Sequence, residues 1–298
     1  MSLAAFRRFN LLTLAFVLFV ILWGAYVRAS GSGAGCGSHW PLCNAQVIPR
    51  APSTATVIEF THRATSGICL LLILAQLALA FRLQPRQPNV RRAAVASAIF
   101  IFSEALIGAG LVLFEKVAHD KSIARAAWTA SHLSNTFALI AAVVLTGWFA
   151  TPRPPSGETR PGLYRALLVG LGATVLVGVS GSIAALGDTL FPVRSFAEGW
   201  QQDLSPTAHL FVRLRVWHPL LAVTAGAGLL AVTGALVLGD RPRGVRAPAT
   251  LAAALVLAQL AAGLINLALL APIPMQVVHL LLADLVWIAL VRLAAGLR

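Results

Sequence analysis

Four histidines fall inside long apolar stretches of the chain and are the residues best placed to do chemistry there. They are His62, His132, His218 and His279. An imidazole within hydrocarbon is costly and usually functional. A lone histidine can instead bond to a neighbouring helix, but four at one depth favour a role as ligands. Zinc needs three or four protein ligands, whereas two imidazoles on facing helices suit the axial positions of a haem.

The residue one helical turn before the histidine differs between the two halves of the chain. Glu59 precedes His62 by three residues and Arg215 precedes His218 by three, so each shares a helix face with its histidine. A buried carboxylate can relay protons or stabilise positive charge, whereas an arginine would anchor an acidic group. We infer that Glu59 is catalytic in the N-terminal half and that the C-terminal half holds a permanent electron-transfer haem. The alternative for Glu59 is a helix pair with Arg63.

Membrane-spanning helices must carry these residues, because the chain is too apolar for a soluble domain. It has 298 residues, 58% hydrophobic and 11% charged, with a mean hydropathy of +0.81. Soluble domains carry about 25% charged residues. The predicted spans are 9–28, 58–81, 92–114, 123–149, 162–185, 210–238, 247–270 and 275–295. No cleavage site follows the first apolar run, which is expected to remain as a helix.

Basic residues predict the orientation of these spans. Of the 23 lysines and arginines, 14 fall on one side, in short segments, so both termini are predicted to be cytoplasmic. The longer loops 29–57 and 186–209 then face outward. The net charge of +13 does not indicate nucleic-acid binding, since no soluble basic domain exists to carry it. The 14 are Arg7, Arg8, Arg82, Arg86, Arg91, Arg92, Arg153, Arg160, Arg165, Arg241, Arg243, Arg246, Arg292 and Arg298.

The second half of the chain echoes the first. This repeat predicts two pseudo-symmetric four-helix bundles, residues 1–150 and 151–298, related by an axis along the membrane normal. The echoes are Glu104–Gly108 with Gln259–Gly263, His62 with His218, His132 with His279, and Ser30-Gly31-Ser32 with Ser180-Gly181-Ser182.

Five arginines near the outer helix ends are candidates to bind haem propionates, because a guanidinium matches a carboxylate. Each is equally explained as an ordinary arginine at the membrane interface. The five are Arg28, Arg63, Arg125, Arg213 and Arg215.

Cys36 and Cys43 lie in the first outer loop, around the sequence Gly-Ser-His-Trp-Pro-Leu. The outside is oxidising, so a disulfide is reasonable, and its small ring would be either structural or redox-active. A metal site is a third alternative that needs a further ligand, such as His39. Cys69, inside the second span, is predicted to be a small apolar filler.

Together these residues resemble the haem A synthase family over essentially the whole chain. The segment Glu59-Phe60-Thr61-His62-Arg63 is similar to the family's Glu-x-x-His-Arg motif, and His132, His218 and His279 fall where the family keeps its other haem ligands. The chain departs from the family at His39, where an aspartate is common, and in lacking the second cysteine pair that some members carry in the later outer loop. Further similar segments are Gly24–Gly33, Cys36, Trp40-Pro41-Leu42-Cys43, Pro49 and Gly181–Asp188.

The resemblance implies an enzyme that converts haem O to haem A for the assembly of haem-copper oxidases. The family oxidises a ring methyl group to a formyl group through hydroxylated intermediates. By resemblance, His62 and His132 would bracket the substrate haem beside Glu59, while His218 and His279 would bind haem b. The expected setting is the cell (plasma) membrane, with membrane lipid, haem O, a haem O synthase and an electron donor as partners, and a homo-oligomeric state.

Two other functions are consistent with part of the pattern. A non-catalytic di-haem cytochrome that transfers electrons would explain the four histidines, but not Glu59, the difference between the halves or the cysteine loop. A small-molecule transporter would have broken helices at the midplane, whereas the polar residues here cluster at the outer ends.

Overall fold

The computed structural model describes residues 2–152, 161–239 and 242–297, and the regular structure in these ranges is helical. Within these ranges, eight helical segments, counting α7 and α8 as one, are long and apolar enough to cross a membrane. This confirms the prediction of an all-α integral membrane protein with eight spans. The helices are α1 (Leu3–Ala29), α2 (Thr54–Phe81), α3 (Pro88–Leu113), α4 (Ile123–Phe149), α5 (Pro161–Leu190), α6 (Phe196–Leu204), α7 (Leu210–Arg215), α8 (Trp217–Leu238), α9 (Arg243–Ala268) and α10 (Ile273–Gly296).

Serine caps start three of the spans. A serine hydroxyl at this position accepts a hydrogen bond from a backbone N–H that the first helical turn leaves unpaired. The caps are Ser2 for α1, Ser53 for α2 and Ser122 for α4, which accept from the N–H groups of Ala5, Thr56 and Arg125.

The segment 186–209 is not the uninterrupted loop that the sequence predicts. Helix α5 continues to Leu190, and α6 occupies Phe196–Leu204. The side chain of Ser195 caps α6 by accepting from the N–H of Glu198. Span-length apolar stretches do not reveal α6, because its nine residues are too few to cross a membrane.

The sixth span breaks just before its histidine. Helix α7 ends at Arg215 and α8 begins at Trp217, with Val216 between them. Pro219 has no N–H with which to donate to the carbonyl of Arg215, so the helix cannot continue unbroken through this point. His218 therefore lies in the first turn of α8.

Buried apolar side chains form two main clusters. One is built from α1 to α4 with Trp287 and Val291 of α10, and the other from α5, α8, α9 and α10. Trp287 stacks on Phe137 with ring centroids 4.9 Å apart and donates its Nε1–H to the Phe137 carbonyl at 2.8 Å. Helix α10 therefore packs against helices of both halves.

The division into two pseudo-symmetric halves and the cytoplasmic position of the termini stay predictions. Four of the arginines behind the orientation prediction lie outside the described residues. They are Arg153, Arg160, Arg241 and Arg298.

Candidate functional site

Each of the four span histidines lies against a glycine of a neighbouring helix. An added Cβ would come within 2.8 Å of the imidazole at Gly24 and Gly181, 3.0 Å at Gly263 and 3.8 Å at Gly108. A side chain at the first three positions would displace the ring, so these glycines reserve space for the imidazoles. The pairs are His62 of α2 with Gly24, His132 of α4 with Gly108, His218 of α8 with Gly181, and His279 of α10 with Gly263.

His218 and His279 lie with ring centroids 6.5 Å apart and ring planes at 85°. This separation leaves room for one metal ion between the rings, since a metal–imidazole bond is about 2 Å long. The Ser180 hydroxyl donates to the Val177 carbonyl at 2.8 Å, so it accepts from Nδ1–H of His218 at 3.0 Å. This bond favours the tautomer whose Nε2 is free to bind a metal.

His132 has a carboxylate partner. Its Nδ1 lies 2.9 Å from Oε1 of Glu104 on α3. The Asn135 amide donates to Oε2 of Glu104 at 2.5 Å, and the Thr136 hydroxyl donates to Oε1. Ser103 in turn donates to the amide oxygen of Asn135 at 2.6 Å. Glu104 is therefore held on both oxygens while it contacts the histidine ring.

Glu59 is buried, with 3% of its surface exposed. Its Oε1 accepts from Arg63, 2.5 Å from Nη2, and its Oε2 accepts from the backbone N–H of Cys36 at 2.8 Å. Arg63 also donates to the carbonyls of His39 and Leu42, at 2.6 and 2.7 Å. The alternative pairing of Glu59 with Arg63 is thus present, and together the two residues fasten the first outer loop to α2.

Cys36 and Cys43 form a disulfide, with Cα atoms 4.4 Å apart. The loop around them is also held by backbone contacts, because Asn44 N–H donates to the Cys36 carbonyl at 2.9 Å. The hydroxyl of Thr56, in the first turn of α2, donates to the Gly35 carbonyl at 2.8 Å. The disulfide loop is therefore seated on the end of α2 that carries Glu59 and His62. Cys69 is free and buried.

Arg28 joins the first span to two spans of the second half. Its guanidinium donates to the Ala185 carbonyl at 2.9 Å and to the Thr189 hydroxyl at 2.8 Å, both on α5. It also donates to the side-chain oxygen of Gln276 on α10 at 2.7 Å. These contacts give Arg28 a position between the helices rather than a free guanidinium at the interface.

Two further propionate candidates also have protein partners. Arg125 donates to two carbonyl oxygens of the preceding loop, at 2.6 and 2.8 Å. Arg215 pairs with Asp203 at 2.7 Å and with Asp188 at 3.2 Å. Arg213 is exposed, and its side chain has no hydrogen bond to another residue in the part of the chain that the structure describes. It is the candidate whose guanidinium is most available.

One sequence echo does not correspond in space. Gly181 of the Ser-Gly-Ser segment lies against His218, but Gly31 of the supposed equivalent has nothing within 4 Å of an added Cβ. Gly31 lies in a turn with a φ of +71°, and Gly24, further back in α1, meets His62 instead. The two Ser-Gly-Ser segments therefore occupy different positions in the fold, one in the turn after α1 and the other inside α5.

Sequence reasoning missed Glu104 and Asp284 as candidates. The signal for Glu104 was present, because it precedes Gly108 by four residues as Gln259 precedes Gly263. Asp284 on α10 is fully buried, and neither carboxylate oxygen has a hydrogen-bond partner among the described residues. A single aspartate in an apolar span forms no repeating pattern, so the sequence does not predict which residues surround it.

The residues fit a haem better than a metal caged by the protein alone. Within the described ranges, no group of three or more histidine, cysteine or acidic side chains is arranged to hold a metal ion. Haem needs only axial ligands from the protein, because its macrocycle supplies the others. Among the described residues, the buried Nδ1 atoms of His62, His132 and His279 have no hydrogen-bond partner, although Nδ1 of His132 lies 2.9 Å from Glu104. Such unsatisfied buried nitrogens need an explanation, which a bound group in contact with the ring supplies.

The eight spans and their partly buried imidazoles define a helical membrane protein with histidines placed between its helices. The chain belongs to the cytochrome oxidase assembly protein family, whose model, COX15-CtaA, matches residues 7–291.

Known relatives agree with this membership. The chain is 49% identical over 281 residues to a protein of Thermus thermophilus named protoheme IX farnesyltransferase, covering 93% of this chain and 46% of that protein. It is 43% identical over 108 residues to a heme A synthase of Shouchella clausii, covering 36% of each chain. It is 38% identical over 106 residues to a heme A synthase of Alkalihalophilus pseudofirmus, again 36% of each. The matches thus span about half or a third of these relatives, and the resemblance to haem A synthases is confirmed.

Proposed function

We propose that the protein is a haem A synthase, which oxidises a ring methyl group of haem O to a formyl group through hydroxylated intermediates. The observation that carries the proposal is the set of four span histidines, each against a glycine of a neighbouring helix. Membership of a cytochrome oxidase assembly family and relatives named heme A synthase support it.

The two pairs of histidines divide the work. His62 and His132 hold the substrate haem O, and His218 and His279 hold a resident haem b, which supplies electron transfer when bound. The support is a chemical difference between the two pairs of histidines, since carboxylates lie beside the first pair. Glu59 lies one turn from His62 and Glu104 contacts His132.

Glu59 acts through its negative charge. Both of its oxygens accept hydrogen bonds, from Arg63 and from the Cys36 N–H, so the carboxylate is held in one orientation. When an external oxidant takes electrons from the methyl group, the carbon beside the macrocycle becomes electron-poor, and a fixed anion stabilises such developing positive charge. The fold therefore orients the carboxylate before the reaction begins.

The supplier of the substrate is an enzyme that farnesylates protohaem, a haem O synthase. The support is the Thermus thermophilus protein named protoheme IX farnesyltransferase, because this chain matches only 46% of its length. One polypeptide there carries a region similar to this chain together with further sequence. Membrane lipid, an electron donor and a homo-oligomeric state complete the proposed setting, in the cell membrane.

The test is to express the protein with and without a supply of haem O, and to identify the extracted haems by mass. Hydroxylated or formylated haem that appears only with haem O supports the proposal. A protein that yields only unmodified haem b under both conditions is an electron-transfer cytochrome instead.

A further inference from the structure

Glu104 and its neighbours form a polar network with no equivalent in the second half of the chain. When the two halves are matched by the sequence repeat, the four positions of the network carry different residues in the second half. The network residues Ser103, Glu104, Asn135 and Thr136 correspond to Ala258, Gln259, Leu282 and Ala283. Three of the four positions there carry apolar side chains, and the glutamate is replaced by its uncharged amide.

The contacts of the two acceptor residues also differ. Glu104 lies 2.9 Å from Nδ1 of His132, whereas the Gln259 amide lies 3.3 Å from Nε2 of His279. Among the described residues the buried Gln259 oxygen has no hydrogen-bond partner, whereas both oxygens of Glu104 accept hydrogen bonds. Of His132 and His279, only His132 therefore has a fixed carboxylate beside the ring nitrogen that stays free when Nε2 binds a metal.

A purely structural role for Glu104 explains less of this arrangement. Asn135 already joins α4 to α3 by donating to the Phe100 carbonyl at 2.9 Å, and Ser103 donates to Asn135. Two helices linked in this way do not need a carboxylate as well. Removing a carboxylate from water is costly, and here two side-chain donors, Asn135 and Thr136, offset that cost at the acid beside the histidine.

We propose that Glu104 is a positioning residue for His132, which sets the electronic character of the N-terminal haem site. Oε1 of the carboxylate lies 2.9 Å from Nδ1 of His132, so it would stabilise positive charge on the ring, and Nε2 is the nitrogen that would hold the bound group. A carboxylate on a ligating histidine raises its basicity and stabilises the more oxidised metal. The haem held by His62 and His132 then has a lower reduction potential than it would with a glutamine at position 104. The inference rests on the proposed function, since it takes these histidines as haem ligands.

The experiment measures reduction potentials in the purified two-haem protein loaded with haem b. His132→Ala identifies the N-terminal haem by removing its signal. Glu104→Gln keeps the shape of the side chain but removes the charge, and should shift that potential upward while the second haem keeps its own. Bound haem at the N-terminal site should also weaken by about 10- to 100-fold. The ferric low-spin EPR signal of the N-terminal haem should change with the potential.

Two further variants separate the proposed effect from damage to the fold. Glu104→Asp keeps the charge, so its shift should be smaller than that of Glu104→Gln. Ser134→Ala is the matched control, because Ser134 lies beside Asn135 on α4 and, among the described residues, its hydroxyl donates only to the Ala130 carbonyl at 2.8 Å. It should leave both potentials unchanged.

The outcomes distinguish this inference from the proposed function. If Glu104→Gln retains both haems with both potentials unmoved, or if Glu104→Asp shifts as far as Glu104→Gln, the inference is overturned and the proposed function stands. If His132→Ala loses no haem, His132 is not a haem ligand, and both the ligand assignment and the inference are overturned. A shift confined to the N-terminal haem in Glu104→Gln supports the role of the carboxylate.

Discussion

The Glu59 carboxylate accepts a hydrogen bond from the backbone N–H of Cys36 at 2.8 Å. This bond joins the disulfide loop directly to the acid beside His62. Arg63 strengthens the connection by bonding both to Glu59 and to carbonyls of the loop. The loop and the N-terminal histidine site therefore form one structural unit, and changes in either should be felt in the other.

Glu59→Gln should lower haem A output while haem b content and membrane insertion persist. The substitution removes the fixed negative charge but keeps the shape of the side chain, and loss of such a group costs on the order of 10²-fold in rate. Chromatography of the haems bound by both proteins in the same membranes provides the measurement.

Thr56→Val is the matched control for Glu59→Gln. It removes the hydrogen bond from Thr56 to the Gly35 carbonyl, so it loosens the same loop without changing charge. Haem A output should fall less than in Glu59→Gln. An equal fall in both variants, or an unchanged yield in Glu59→Gln, would leave loop anchoring as the role of Glu59.

Gly181→Ala should weaken retention of haem b by roughly tenfold or more. Its added methyl would lie 2.8 Å from the His218 ring, and overpacking of this kind costs about 1–3 kcal/mol. Gly172→Ala on the same helix is the control, because nothing lies within 4 Å of its added Cβ. The haem b absorbance of the two purified variants gives the comparison. Equal retention would show that the glycine does not shape the site.

Alkylation under denaturing conditions should label one cysteine without reductant and three with it. Cys69 is the free thiol, whereas Cys36 and Cys43 are joined in the disulfide. Mass spectrometry of protein purified under air identifies the labelled positions. Free labelling of Cys36 and Cys43 before reduction would show that the bond does not form in the protein.

Asp284→Leu should raise the melting temperature of the haem-loaded protein. The side chain is fully buried and its carboxylate oxygens have no partner among the described residues, a condition that costs about 1–3 kcal/mol. Asp284→Asn leaves a buried polar group in place and should gain less. A lower melting temperature for Asp284→Leu would mean that the acid makes a contact essential to the fold.

The helices were predictable from the sequence, but most contacts at the site were not. Apolar stretches of span length define a helix without reference to its neighbours. The contact of Glu104 with His132 depends on which faces of α3 and α4 pack together. The two residues lie far apart in the sequence, so no local pattern predicts that contact. The pair Glu59–Arg63 was foreseeable because its residues are four apart on one helix.

The arginines illustrate the same limit. Their positions near helix ends follow from the sequence, but the partners of Arg28 lie 157 to 248 residues away in the chain. Such contacts depend on which helices lie side by side in the folded protein. Helix α6 was missed for a different reason, since its short length carries no membrane signal.

The central claim is that the N-terminal histidines hold a substrate and the C-terminal histidines a resident haem. The decisive measurement is the haem content of the wild-type protein, His62→Ala and His218→Ala, each expressed with a supply of haem O. The account predicts haem A with haem b in the wild type, haem b without haem A in His62→Ala, and loss of haem b in His218→Ala. Haem A formation by His62→Ala, or no oxidised haem from the wild type, would contradict it.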